Sequence, residues 1–452
     1  MRTPIFDFVR EYKEDKFVRL HMPGHKGRKF LGCEDIDITE VCGADVLYSP
    51  DGIIAESENN ASEIFGTAHT FYSCEGSSLC IRAMLAMVSA GKSGARVLAG
   101  RNAHKAFIYA CGLLDIDVSW VYPEKNSHLG GCDITPSAVE EKLKSGEEFC
   151  AVYVTSPDYL GNILDIRGIS QVCHKHGVPL IVDNAHGAYS AFLENSAHPI
   201  HLGADMCCDS AHKTLPVLTG GAYLHISKNA SADFVKMARE KLEIFASTSP
   251  SYLILQSLDL CNRYLSENYS QRLCDTCKRV EKTKKRLVEY GYSVCSSEPL
   301  KIVLDISGMP MLPEYLHKHR AEVEFSDKNF CVMMLTPENT EEDFSYLEAC
   351  LEAFRGESTE ASEKMPQIKP AKKIMSIRES MLSASRIMSV DLCEGRVCAQ
   401  PTVSCPPAVP VVVSGELIER EHIECLKYYN IETISVVDQT ADKPCYRKQT
   451  LI

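Results

Sequence analysis

The chain has 452 residues, too long for one hydrophobic core, which predicts two to three domains. An apolar fraction of 45%, a charged fraction of 24% and a net charge of −13 describe a soluble acidic globular protein and argue against nucleic-acid or anionic-membrane partners. No signal peptide opens the chain and no apolar run nears the ~18 residues of a membrane span, so a cytoplasmic protein is expected.

The 21 cysteines are scattered through a long chain, which reads as reduced thiols rather than a disulfide scaffold. Cys274 and Cys277 have zinc-like spacing but no second ligand pair, and no metal is expected. Cys173-His174-Lys175-His176 falls at a helix end and reads as structural.

Thr3-Pro4 reads as a helix start, with Ile5, Phe8, Val9 and Tyr12 on one face. The next stretch, HMPGHKGRKFLG, is a loop broken by Pro23, Gly24 and Gly27. From residue 77 the patterns alternate. Helices are predicted over 77–90, 106–114, 135–144 and 169–176. Strands are predicted over 96–99, 118–122, 150–155, 180–183, 204–208 and 222–226. This alternation predicts an α/β fold, a mostly parallel sheet flanked by helices, with ligands at the carboxyl ends of strands. Asp183 and Ser210 fall at such ends. Residues 233–290 read as mostly helical. Val303–Asp305 and Val332–Leu335 read as strands of a smaller α/β unit. The predicted division is an N-terminal helix and PGHK segment at 1–40, a large domain at 41–275 and a small one at 276–356. A polar, proline-interrupted linker at 357–373 and a separate C-terminal domain at 374–452 follow.

The chemistry concentrates in CCDSAHKTLPVLTGG, residues 207–221. A lysine straight after a buried strand is rarely buried without a purpose. Ser210 and His212 beside Lys213 can donate to an anion, and Asp183 ends another strand in LIVDNAHG, with His186 just behind it. Cys74-Glu75-Gly76-Ser77-Ser78 is a Gly/Ser turn opening a helix, where amides and hydroxyls cradle phosphate. Alone, that turn reads as an ordinary capped helix start. Together these parts describe a site for pyridoxal 5′-phosphate. Lys213 forms the imine with its aldehyde. Asp183 keeps its ring nitrogen protonated. Gly76, Ser77, Ser78, Ser210 and His212 hold its phosphate, and His104 stacks on its face.

The chain resembles the short bacterial Orn/Lys/Arg decarboxylases, which are fold-type-I pyridoxal-phosphate enzymes like aspartate aminotransferase. The resemblance rests on RLHMPGHKGR, ITEVCGADVLYSPD, ASEIFGTAHTFY, RNAHKA, TSPDYLGNILDI, VDNAHGAY, DSAHKTLPVLTGGAYLH and STSPSYLILQSLD in family order. It continues through MSIRES and GRVCAQPTVSCPPAVPVVVSGE, which resemble the family's C-terminal domain. The resemblance implies Schiff-base formation by Lys213, Asp183 at the ring nitrogen, His104 on the ring and His186 close by. It implies homodimers, or higher homo-oligomers, with active sites at the interface, where Thr248 or Ser249 reaches the phosphate of the partner's cofactor. The implied reaction is decarboxylation of a basic amino acid: arginine first, in polyamine synthesis, then lysine, then ornithine. Lys213 or His212 supplies the proton to Cα. Glu322, Glu324 and Asp327 are the candidate carboxylates for the substrate's distal cation. Glu75, Asp158 and Gly220 depart from the family pattern. An aminotransferase and a non-catalytic regulatory relative are the competing readings.

Overall fold

The computed structural model describes residues 1–123, 133–356, 369–401 and 410–438. It opens with helix α1 (Pro4–Glu14), whose apolar face buries Ile5, Val9 and Tyr12. A long, turn-rich segment leads to α2 (Ile53–Phe65), ended by Gly66 in the left-handed conformation. The large domain then follows as β1 (His69–Ser73), α3 (Gly76–Ser89), β2 (Arg96–Gly100), α4 (Lys105–Leu114), β3 (Asp117–Val121) and α5 (Pro136–Leu143). It continues with β4 (Ala151–Thr155), α6 (Ile166–Lys175), β5 (Leu180–Asp183), β6 (Met206–Asp209), α7 (Ala211–Thr214) and β7 (Ala222–Ile226).

These seven strands form one sheet in the order β1-β7-β6-β5-β4-β2-β3. The run from β6 to β3 is parallel, while β7 pairs antiparallel with both β6 and β1. Its central strands are buried along their whole length, so they carry continuous apolar runs such as Leu180-Ile181-Val182. One apolar cluster, with Leu79, Met84 and Phe107, fills one face. Another, with Val152, Val182 and Ile169, fills the opposite one. This is the expected mostly parallel architecture. It places the ends of β2, β4, β5 and β6 along one edge, where the site lies.

Helices α8 (Ala232–Glu243), α9 (Tyr252–Ser266) and α10 (Tyr269–Glu289) lead to the small domain. That domain holds β8 (Ser293–Val294), β9 (Lys301–Asp305), α11 (Leu312–Lys318), β10 (Phe325–Ser326), β11 (Phe330–Met334) and α12 (Glu341–Ala353). Its sheet runs β10-β11-β9-β8, all antiparallel. The division predicted after residue 275 falls inside α10. Tyr269 and Leu273 pack in the large-domain core, whereas Val280 and Leu287 pack in the small-domain core.

Residues 357–368 of the predicted linker lie outside the described residues, as do 402–409 and 439–452 of the C-terminal part. The rest of that part holds α13 (Ile377–Leu382), β12 (Ser385–Ser389), α14 (Arg420–Tyr428) and β13 (Thr433–Val437), with a core of its own around Val412, Ile418 and Leu426. Helix α13 docks on α4, where Gly112 admits Met381 so closely that any Cβ would meet its sulfur at 2.5 Å. The cysteines among the described residues are free thiols. No helix among these residues is long and apolar enough to cross a membrane.

Candidate active site

Strand β6 ends at Asp209, and Ser210 then caps the single turn α7, which carries His212 and Lys213. The turn directs Lys213 across to the end of β5, where its Nζ lies 2.9 Å from His186 Nε2. His186 is buried, and its imidazole is held well below its ordinary range, first by burial and then by Lys213, Lys301, His104 and His212. A neutral His186 accepts from the lysine at Nε2 and carries its hydrogen on Nδ1. That Nδ1 is buried with no hydrogen-bond partner among the described residues.

Asp183 is buried at the end of β5. Its carboxylate accepts from the Tyr153 hydroxyl at 3.1 Å and from the Ala185 amide at 3.1 Å. His104 caps the start of α4, its Nδ1 accepting from the Ala106 amide at 3.2 Å. Burial pushes the His104 imidazole down, Asp183 pulls it up, and Lys213 and Lys105 push it down again. His104 thus feels both Asp183 and Lys213 as neighbours.

The Gly/Ser turn at the start of α3 faces the same edge. Gly76 has φ +69°, a left-handed backbone that glycine adopts without strain. Its amide does not point to open space: it donates to the Gly220 carbonyl at 2.7 Å. Of the expected anion cradle this leaves Ser77, Ser78 and Ser210, with the Ser210 hydroxyl donating to Ser77 Oγ at 2.8 Å. Gly220 is itself forced. It has φ +99°, and a Cβ there would meet the Cys74 carbonyl oxygen at 2.9 Å. Glu75 turns away from the cradle and accepts from the Ser247 amide at 2.6 Å. Thr248 and Ser249 follow on that exposed loop. His212 Nδ1 sits 3.0 Å from the Gly221 carbonyl, so Nδ1 is the donor and Nε2 donates to an anion only in the imidazolium form.

The three candidate substrate carboxylates are placed differently. Glu322 is exposed and pairs with His317 at 2.6 Å. Asp327 accepts from the amides of Asn329 and Phe330, tightening the β10–β11 turn. Glu324 reaches the large domain: its Oε1 accepts from the Tyr159 hydroxyl at 2.8 Å. The Tyr159 ring stands edge-on to His186 with centroids 5.2 Å apart. Glu322 and Glu324 also line a groove of about 430 Å³ bounded by residues 320–347, to which no other predicted site residue contributes. Tyr159 was not legible as a site residue, since a tyrosine in a loop carries no local signature. Asp158, beside Tyr159, closes its own turn by accepting from the Asn162 amide and side chain, both at 2.8 Å. Burial pushes its carboxyl up to about 6.

The donors fit pyridoxal phosphate: an amine held by a neutral imidazole, a buried carboxylate on the adjacent strand, and hydroxyls at a helix N-terminus. The family model described as Orn/Lys/Arg decarboxylase, major domain, matches residues 3–305. The chain belongs to the Orn/Lys/Arg decarboxylase family. It is a pyridoxal-phosphate-dependent decarboxylase of fold type I. An arginine decarboxylase of Halalkalibacterium halodurans is 27% identical over 467 residues, covering 95% of this chain and 94% of that one. The constitutive lysine decarboxylase of Escherichia coli is 25% identical over 305 residues, covering 60% of this chain and 40% of that one. The solved lysine decarboxylase A from Pseudomonas aeruginosa superposes with a TM-score of 0.80 at 16% identity, covering 96% of this chain and 80% of that one.

Proposed function

We propose that this family member converts L-arginine to agmatine and CO2, a first step toward polyamines. The observation that carries the reading is Glu324, whose carboxylate accepts from Tyr159, a ring standing edge-on to the same His186 that contacts Lys213. A basic amino acid whose α-amine meets Lys213 would extend its distal cation toward that carboxylate. The planar guanidinium of arginine can engage both carboxylate oxygens, which an ammonium does not match. Likeness to an arginine decarboxylase along nearly the whole of both chains supports the same choice.

Bound pyridoxal phosphate supplies an aldehyde for an amine and a ring that takes up electrons as CO2 departs. Lys213 Nζ is the amine at rest, and neutral His186 orients it by accepting one of its hydrogens. Asp183 would hold a proton at the ring nitrogen, an interaction worth most in a buried setting. Ser77, Ser78 and Ser210 would hold the phosphate, with His212 joining them only in its imidazolium form, which burial disfavours. His104 would cover the ring. Lys213 returns the proton to Cα in preference to His212, whose ring is tied to the Gly221 carbonyl.

We propose further that the protein acts as a homodimer. Phe30 is 80% exposed, Leu20 90% and Leu31 91%. They sit on a loop held rigid by Arg19, which donates to the carbonyls of Glu34, Asp35 and Asp37, and by Glu34, which accepts from the amides of Phe30, Leu31 and Gly32. An ordered apolar projection in water marks a contact surface. Residues 16–29 carry five Lys/Arg and no Asp/Glu in a chain of net charge −13, which complements the acidic remainder of a second copy.

The test is product formation by the loaded enzyme from arginine, lysine and ornithine, without keto acid. Agmatine and CO2 from arginine, at a kcat/KM at least about tenfold above the other two, is the expected result. Cadaverine or putrescine as the main product reassigns the substrate. Transamination, or no product from any of the three, overturns the reading. Light scattering on the same preparation should give twice the 50.2 kDa of one chain.

A further inference from the structure

One buried carboxylate next to the site takes no part in the chemistry above. Asp209 ends β6 directly before Ser210 and is 0% exposed. Its Oδ1 accepts from the Asn184 side-chain amide at 2.7 Å. Its Oδ2 faces two imidazoles, His198 Nε2 at 3.1 Å and His225 Nε2 at 3.2 Å. Against an ionised carboxylate both Nε2 atoms must be donors. His225 Nδ1 in turn lies 2.9 Å from Thr70 Oγ1, which lies 2.8 Å from Thr67 Oγ1. The network therefore crosses β1, β7, β6 and the end of β5.

We propose that Asp209 is a positioning residue, whose buried carboxylate ties the loop carrying Asp183 and His186 to the loop carrying Ser210 and Lys213. Each link is on the protein itself. Asn184 sits between Asp183 and His186, and its carbonyl accepts from the Gly187 amide at 2.8 Å, closing the turn that presents His186. Gly187 packs so tightly on Asn184 that a Cβ would meet Asn184 Oδ1 at 2.1 Å. On the other side, Ser210 reaches Ser77 at the start of α3, and Lys213 reaches His186. The 2.9 Å Lys213–His186 contact is thus closed through Asn184 and Asp209 as well as directly. Burial pushes the Asp209 carboxyl up, and His198 and His225 more than offset this, so it stays ionised. A buried anion with three donors is a rigid node, because releasing any donor leaves charge uncompensated.

This inference rests on Lys213 and His186 being the reacting pair. Product formation by the wild-type enzyme tests that reading, while the ratio of variant to wild type tests the inference. In the full chain loaded with pyridoxal phosphate, Asp209→Asn should lower kcat about 10- to 100-fold, with KM within about threefold. Amide hydrogen exchange, measured on loaded and cofactor-free protein, should accelerate in 184–187 and 210–215 while β4 and β5 keep wild-type protection. Asn184→Ala, which cuts the same tie from the other side without touching the buried charge, should loosen the same two segments. It decides the matter alone if Asp209→Asn fails to fold. A merely structural role predicts a lower melting temperature with unchanged kcat in the folded fraction, or exchange raised evenly over the sheet. Either outcome overturns the proposal.

Discussion

Single side chains decide what this site can bind. Of three acidic residues in one short stretch, Glu324 meets the large domain through Tyr159, while Glu322 pairs with His317 and Asp327 tightens the β10–β11 turn. Composition could nominate the stretch but not choose within it, since Glu322 and Glu324 alternate onto one face and the contact with Tyr159 separates them. Glu324→Gln keeps the shape and the acceptor for Tyr159 but removes the charge. It should raise KM for arginine about 10- to 100-fold in steady-state kinetics, the loss of one charge-assisted contact, with a smaller change in kcat. An unchanged KM would place the distal cation elsewhere. The lysine, the aspartate and the glycine turn were legible because each carries a local signature of type and spacing. Tyr159 and Asp209 were not, because their roles arise only from contacts between distant segments.

At the level of elements, most of the sheet was legible, and the reason is burial. Strands β5 and β7 are covered on both faces, so their apolar runs end where the strand ends, at Asp183 and Ile226. The two-residue strands β8 and β10 are too short to show any period. Helix α1 was legible from its cap and apolar face, but not its anchor. The Asp259 carboxylate on α9 accepts from the Ile5 and Phe6 amides at 2.9 and 3.0 Å and from Ser57 Oγ at 2.6 Å. Burial pushes this carboxyl up to about 6 in the folded protein, against about 3.9 for an unfolded aspartate. The folded state holds the proton more tightly. Its contribution to stability is complete below about pH 4 and is lost as pH rises through 6. Melting temperatures of Asp259→Asn should therefore gain on wild type between pH 4 and 7. A difference that stays flat with pH would contradict this linkage.

Across the whole molecule, a buried ion pair adds to the docking of α13 on α4 in fixing the C-terminal unit to the large-domain sheet. Arg101 follows β2 and lies three residues before His104. Its two terminal nitrogens each meet a Glu416 oxygen at 2.7 Å, its other donors reach the Pro410 and Val411 carbonyls, and it stacks near Trp120 and Tyr122. Glu416→Leu leaves a buried guanidinium without its counter-charge and should cost about 3–5 kcal/mol in denaturant unfolding. Adding Arg101→Met should recover much of that loss, since an apolar pair of similar volume avoids the desolvation of both ions. Equal losses in the single and double variants would show that the pair does not couple the two units.

We propose that one amine, Lys213 Nζ, is where the cofactor attaches. Borohydride reduction of the loaded protein, followed by proteolysis and peptide mass spectrometry, locates that bond. A reduced pyridoxal-phosphate adduct is expected on the peptide bearing Lys213, with its loss together with all decarboxylase activity in Lys213→Ala. An adduct mapped to Lys301 or another lysine, or decarboxylation surviving in Lys213→Ala, would contradict it.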